Sequence, residues 1–142
     1  MSVRRIWTVH EANALVPRLS LLVGEQMRRA FDIDQRLRAM RARGQGERLL
    51  VMIEGEQVLD PDERALRSDL LVYEQGWRAI EELGVSVKDP RVGLCDFLGK
   101  VEGRDVWLCW RYGERAVEHW HELDQGFSGR KPIGIPSKPL YN

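Results

Sequence analysis

The sequence predicts an α+β protein in which a long N-terminal helical hairpin packs with a small C-terminal antiparallel sheet of three to four strands. Two observations predict this fold class. Apolar residues recur at helical spacing as far as Gly84, and beyond Gly84 the chain consists of short segments rich in β-branched and aromatic residues. The chain of 142 residues has the length of one ordinary domain, so we expect residues 1–142 to form a single domain.

The first helix is expected to begin near Val9. Thr8 and Glu11 have the spacing of a capping box, in which each side chain accepts a hydrogen bond from the backbone N–H of the other residue. Pro17 has no backbone donor, so we expect a kink or a restart of the helix there. Gln26 interrupts an apolar stripe that otherwise alternates steps of four and three. The stripe comprises Ala12, Val16, Leu19, Val23, Ala30, Ile33, Leu37 and Met40.

The second helix is predicted to begin after Asp60, where a capping carboxylate is followed by a proline in the first turn and by Glu63. Gly84 is a typical residue to end a helix, so residues 9–84 form the helical hairpin. The intervening segment 49–59 is interpreted as a short β-hairpin insert, with a helical turn followed by a loop as the alternative.

The charges of the two helices predict how they pack. Arginines exceed acids in residues 28–48, and acids exceed basic residues in residues 60–89. Antiparallel packing places the basic end of the first helix beside the acidic start of the second. Because 22 Lys plus Arg balance 22 Asp plus Glu within the chain, nucleic acid is not an expected partner.

The length of the first helix predicts a homodimer. A helix over residues 9–43 would be about 50 Å long, whereas a compact chain of this length has a diameter of roughly 37 Å. The helix would overhang its own domain, so its apolar stripe would need a second copy of the chain to cover it.

The composition predicts a cytoplasmic protein that does not enter a membrane. The sequence contains no run of about 18 apolar residues, which a membrane span would need, and no apolar segment behind its N-terminal arginines of the kind found in secretion signals. Cys95 and Cys109 are too few for a disulfide framework, so we expect both to be thiols in a reducing compartment.

Residues 85–130 are predicted to form an antiparallel meander, because short β-prone segments alternate there with turn residues. The tail, residues 131–142, is rich in proline and is expected to be an extended strap or a loose end. The strands are expected at residues 85–87, 92–98, 105–111 and 116–123.

Alternation along the middle strand divides its side chains between two faces of the sheet. One face is expected to carry Val106, Leu108 and Trp110. The other is expected to carry Trp107, Cys109 and Arg111. Because each face has a tryptophan, we expect both faces to be at least partly covered.

Four segments of the chain together resemble a known family. They are EANALVPRL, VKDPRVGLCDF, LCWRYGE and WHELDQGFSGRKP, which contain the combination GLxDF, LCWRxGE and WHExDxGFxGR. The chain is similar through them to small uncharacterised bacterial proteins known only as a domain of unknown function. The resemblance implies no reaction, and His119 stands where that family usually has an aromatic residue. The polar positions that it marks are Asp96, Cys109, Arg111, Glu114, His121, Glu122, Asp124 and Arg130.

His119 and His121 are candidate metal ligands, since residues two apart project to the same side of a strand. Cys109 is a third candidate ligand, with Asp96 or Glu122 as a further donor, and these ligand types suit zinc. The alternative is structural, with His121 donating a hydrogen bond to a backbone carbonyl or to Glu114. Cys109 is otherwise a small buried hydrophobe, or a nucleophile that His121 activates.

Asp96, Glu114 and His121 are candidate catalytic residues because they can form an acid and base cluster. Arg111 and Arg130 are candidate ligand-binding residues for an anionic substrate. A buried aspartate needs a charged partner, and Arg111 is expected to supply it. This ion pair can be part of the site or can serve only to fix the strand register.

Two classes of function follow. The first is a noncatalytic homodimeric binding or assembly module with a polar pocket on its sheet, which docks a protein partner or a small anionic ligand. The alternative is a small hydrolase-like enzyme that uses His121 with Asp96 and a bound metal. The loop at residues 126–130 is expected to be anchored by Phe127, with Arg130 facing outward; it is either a structural turn or a cradle that binds a phosphate or carboxylate through its N–H groups and guanidinium.

Overall fold

The computed structural model describes residues 5–46 and 59–134 and shows the predicted α+β fold. Helix α1 spans Val9–Ala42 and helix α2 spans Pro61–Glu82. Of the β-hairpin predicted at residues 49–59, only the last residue lies in the described part of the chain. That hairpin therefore stays a prediction.

Both helices begin with the predicted capping boxes. Thr8 pairs with Glu11, and Asp60 pairs with Glu63, through reciprocal side-chain and backbone bonds of 2.8–3.0 Å. Helix α1 runs through Pro17 without interruption, so the restart that we allowed for there is wrong. The proline removes only one helical hydrogen bond, and the buried residues around it hold the helix in place by packing.

Five strands form one antiparallel sheet in sequence order, so each strand pairs with the next one along the chain. This confirms the meander and adds one strand to the three or four expected. The extra strand forms because the first residues of the Pro-rich tail pair with the fourth strand. The strands are β1 (Ser86–Asp89), β2 (Leu94–Val101), β3 (Arg104–Arg111), β4 (His119–His121) and β5 (Lys131–Pro132).

The two faces of the sheet have the predicted composition. The core face packs on the N-terminal half of α1. Its sheet residues include Cys95, Phe97, Val106, Leu108, Trp110 and Trp120. The strand register places a second set of side chains on the opposite side, which we call the polar face. These are Asp96, Trp107, Cys109, Arg111, His119 and His121.

Most of the apolar stripe of α1 is covered within one chain. Its first half packs on the sheet, and its second half, with Ile33 and Met40, packs on α2. The stripe therefore does not overhang, which corrects the reasoning that led to the dimer prediction. The large apolar residues that are exposed on the helices are Leu21, Phe31, Leu71 and Val72. None of the helices in residues 5–46 and 59–134 combines the length and the apolar character that a membrane crossing requires.

The polar residue that interrupts the stripe fixes the contact between the two helices. The Gln26 side chain is buried and donates a 2.6 Å hydrogen bond from Nε2 to the carbonyl of Tyr73. A Cβ atom at Gly76 would overlap this amide, so a larger residue there would displace the Gln26 side chain. The salt bridge of 2.7 Å between Arg36 and Asp69 shows the predicted antiparallel pairing of charges.

Trp7, two residues before α1, is hydrogen-bonded to the sheet, which the sequence analysis did not predict. Trp7 forms a parallel bridge with Gly99, and its N–H donates to the carbonyl of Leu98 at 2.7 Å. Its indole donates to the carbonyl of Gly84 at 3.0 Å, and its ring meets Phe97 edge to face. These contacts fix the start of α1 against the core face of the sheet.

Candidate functional site

Three neighbouring strands bring together the side chains that we call the buried cluster, namely Asp96, Cys109 and His121. Asp96 on β2 lies opposite Cys109 on β3, and His121 on β4 lies opposite Trp107. One carboxylate oxygen, the sulfur and one imidazole nitrogen all lie within 4.8 Å of one another. The three residues are 1%, 0% and 1% exposed, so the cluster is closed to solvent.

The two nitrogens of His121 have different partners. Nδ1 lies 2.9 Å from the backbone carbonyl of Glu122, and Nε2 lies 2.8 Å from Oδ2 of Asp96. A carbonyl oxygen can only accept a hydrogen bond, so the geometry assigns a hydrogen to Nδ1. A second proton is then held between Nε2 and Oδ2, because without it the lone pairs of these two atoms would repel each other.

The environment of Asp96 is dominated by its removal from water. Burial raises the pKa of Asp96 above its ordinary value, while the charge of His121 and the neighbouring Cys109 thiol act in the opposite direction. Oδ2 bonds His121, whereas Oδ1 is buried without a hydrogen-bond partner in the described part of the chain. A buried acceptor of this kind costs free energy unless something else satisfies it.

Both cysteines are free thiols, one on each face of the sheet. Burial, together with the negative charge of Asp96, raises the pKa of Cys109 to about 12. The pKa of Cys95 is likewise raised to about 12, mainly by burial. A thiol in this state is a poor nucleophile at neutral pH, so the geometry favours the interpretation of Cys109 as a buried thiol over that of an activated nucleophile.

A second group of polar-face and loop residues lies beside the buried cluster and reaches solvent. We call it the surface cluster, and its members are Arg111, Glu114, His119, Phe127 and Arg130. Oε1 of Glu114 accepts bonds of 2.7 Å from the backbone N–H of Arg111 and from the guanidinium of Arg130. Oε2 of Glu114 lies 4.0 Å from Nδ1 of His119. The carboxylate therefore sits at the centre of the surface cluster.

The electrostatics of Glu114 follow from these contacts. Partial burial acts to raise the pKa of Glu114, but the hydrogen bonds from Arg130 and from the Arg111 backbone, with the charges of Arg130 and His119, outweigh it. The net pKa of Glu114 lies below its ordinary value, so the group is a carboxylate at neutral pH.

Phe127 lies beside two arginines of the surface cluster. The guanidinium carbon lies 4.5 Å from the ring centre for Arg130 and 5.6 Å for Arg111. Arg130 also donates to the carbonyl of Cys109 at 3.2 Å, which links the surface cluster to the buried cluster. Phe127 itself is 41% exposed.

The structure corrects three expectations about these residues. Asp96 is paired with His121 and not with Arg111, because the register places Arg111 opposite Leu94, two residues away from Asp96. Arg130 does not face outward, since its side chain is 11% exposed and bonds Glu114. Phe127 is exposed, so it is not a buried anchor of its loop.

The predicted site residues divide between the two clusters. Of the candidate catalytic residues, Asp96 and His121 are bonded to each other, whereas the bonds of Glu114 go to the surface cluster. Of the candidate metal ligands, His121 and Cys109 lie together with Asp96, whereas His119 is oriented towards Glu114. The structural alternative for His121 is also present, because it pairs with a backbone carbonyl.

Helices on one face of a sheet and two polar clusters on the other define an α+β protein. The sequence model of a family of uncharacterised conserved proteins, DUF2203, matches residues 5–133. The chain therefore belongs to the DUF2203 family, a domain of unknown function. No curated protein and no solved structure matches the chain.

We predict that replacing Asp96 is strongly destabilising. In Asp96→Ala the buried Nε2 of His121 loses its partner, which is expected to lower the free energy of unfolding by about 3–5 kcal/mol. Urea denaturation measures this loss. Asp124→Ala, at an exposed aspartate on the loop after β4, is the matched control and is expected to cost less than about 0.5 kcal/mol. Equal stability of the two variants would show that the contact with His121 is not formed.

Proposed function

We propose that this protein is a noncatalytic binding module that recognises an anionic group through the surface cluster. The group is a carboxylate or a phosphate on a small ligand or on a protein partner. The observation that carries the proposal is the environment of Arg111. Its side chain is exposed beside the ring of Phe127, and no carboxylate among the described residues forms an ion pair with its guanidinium.

The chemistry of the surface cluster suits an anion. Arg111 offers a planar set of donors that matches the oxygens of a carboxylate or phosphate, and the exposed ring of Phe127 supplies apolar contact beside it. Glu114 is already neutralised by Arg130, so it repels an incoming anion less than an unpaired carboxylate would. Arginine together with an aromatic residue is also a typical composition for the centre of a protein interface.

Two observations favour binding over catalysis. The Asp96 and His121 pair is closed to solvent, so a substrate has no access to Nε2 of His121 without rearrangement of the sheet. Cys109 is 0% exposed, so its sulfur is equally closed to a substrate. The hydrolase alternative would use His121, Asp96 and a bound metal, and it requires a substrate to reach groups that are 1% exposed.

We also propose a homodimer, now because apolar side chains are exposed on the helices and no longer because of the length of α1. Leu21 and Phe31 on α1 are 71% and 69% exposed, and Leu71 and Val72 on α2 are also exposed. The exposure of these large apolar side chains on two helices that pack on each other is what supports an interface with a second copy of the chain. We place the module in the cytoplasm, because both cysteines are free thiols.

Binding can be tested with two defined probes, inorganic phosphate and a short polyglutamate peptide. We expect at least one of them to shift the NMR signals of the Arg111 and Arg130 side chains. Arg111→Ala is expected to weaken that binding about tenfold or more, because a charge-assisted hydrogen bond is worth about 1.5–3 kcal/mol. Arg18→Ala, at an exposed arginine of α1, is the control and should bind as the wild type does. Binding that is unchanged in Arg111→Ala, or no response to either probe, would contradict the proposal.

The homodimer can be tested by light scattering after size exclusion. The wild-type chain is expected to have twice the mass of one chain at micromolar concentration, and Phe31→Asp is expected to shift it to the monomer because a charge would enter the interface. Leu123→Asp changes an exposed leucine after β4 in the same way and should leave the dimer intact. A wild-type monomer at this concentration would contradict this part of the proposal.

A further inference from the structure

The buried cluster has the composition of a metal site. A carboxylate, a thiol and an imidazole are the three side-chain types that bind Zn²⁺ most often, and here each presents one ligand atom within 4.8 Å of the others. Their placement on three adjacent strands of one sheet gives the ligand atoms a rigid frame. Such a frame is what a preorganised metal site requires.

The orientation of His121 is that of a metal ligand. Histidines that bind a metal through one nitrogen generally donate the hydrogen of the other to a carbonyl or a carboxylate, which fixes the ring. Nδ1 of His121 makes this bond to the carbonyl of Glu122, at 2.9 Å. Nε2 is therefore the nitrogen directed towards Asp96 and Cys109.

The unsatisfied oxygen of Asp96 is an independent observation that points the same way. Asp96 is 1% exposed, and Oδ1 has no hydrogen-bond partner in the described part of the chain. A buried polar atom without a partner is uncommon, and an ion or a water that binds it is the usual explanation. A cation held by the buried cluster would stabilise this carboxylate.

We propose that Asp96, Cys109 and His121 bind one Zn²⁺ ion, with Nε2 of His121, the carboxylate of Asp96 and the thiolate of Cys109 as ligands. The charges balance, because the carboxylate and the thiolate together neutralise a divalent ion, and this allows it to be buried. A bound metal also explains how Cys109 can be a thiolate. A coordinating cysteine gives up its proton to the solvent even when its pKa is raised in the empty site.

The ligand atoms must draw together around the ion, since the three lie within 4.8 Å of one another, whereas the ligand atoms of a tetrahedral Zn²⁺ are about 3.3–3.5 Å apart. The pair Nε2 and Oδ2 is the exception, because these two atoms are 2.8 Å apart. They therefore move apart by roughly 0.5 Å, and the proton between them is displaced. The buried cluster offers three side-chain ligands to the ion.

The role of such an ion would be structural. Strand β4 has only three residues, and the Zn²⁺ would connect it to β2 across the intervening strand β3. The main-chain carbonyl of Cys109 also accepts a bond from Arg130, so the same ion would help to position the surface cluster. The inference concerns stability and positioning, and it stands apart from the anion binding proposed above.

The test is metal analysis of protein produced without a histidine tag in medium that contains zinc. Wild-type protein is expected to contain about one Zn²⁺ per chain. Its melting temperature is expected to fall when a chelator removes the ion. Cys109→Ala is expected to contain almost none. Cys95→Ala is the matched control, since Cys95 is equally buried but lies on the core face, and this variant should keep its metal.

A second measurement covers the case in which Cys109→Ala does not fold. Wild-type protein refolded with Co²⁺ is expected to show the sulfur-to-cobalt charge-transfer absorption of a thiolate ligand, and Cys95→Ala should show it too. Wild-type protein that contains no zinc and gives no such absorption would overturn the proposal. Loss of the metal in Cys95→Ala to the same extent as in Cys109→Ala would also overturn it.

Discussion

The polar face of the sheet depends on the contact between Asp96 and His121, which reaches from β2 to β4 across the strand between them. Strands two apart in a sheet are separated by about 10 Å, so the two side chains together span the width of β3. They can do so because the side chain of Cys109 is small and leaves space above its strand. The contact fixes the short strand β4, on which β5 in turn pairs.

The same constraint separates the ionisable groups into two environments. The buried cluster is excluded from water. The pKa values of Asp96 and Cys109 are raised there, because burial disfavours their charged forms. In the surface cluster Glu114 is held as a carboxylate by Arg130 and the Arg111 backbone. The first environment suits a proton or a metal ion that does not exchange with a substrate, whereas the second suits a ligand that arrives from solvent.

The parts of the structure that follow from local rules were predictable from the sequence. The capping boxes of both helices depend on a spacing of three residues, and the two faces of β3 depend on a period of two. Both patterns can be read directly from the sequence. The partner of Asp96 was not predictable, because it is set by the strand register and by a side chain that reaches past one strand to the next. The exposure of Phe127 and the fifth strand were missed for a related reason. Both depend on where the chain after β4 folds back, and no periodic pattern encodes that path.

The central claim is that His121 lies between the carbonyl of Glu122 and the carboxylate of Asp96. Nitrogen-15 NMR of the imidazole tests it most directly, because the shift of each ring nitrogen and its coupling to the ring hydrogens show which nitrogen carries a hydrogen. The account predicts a hydrogen on Nδ1, with Nε2 bound to a shared proton or to a metal ion. A spectrum in which Nδ1 is the unprotonated nitrogen would contradict the account, since the bond to Glu122 could not then exist.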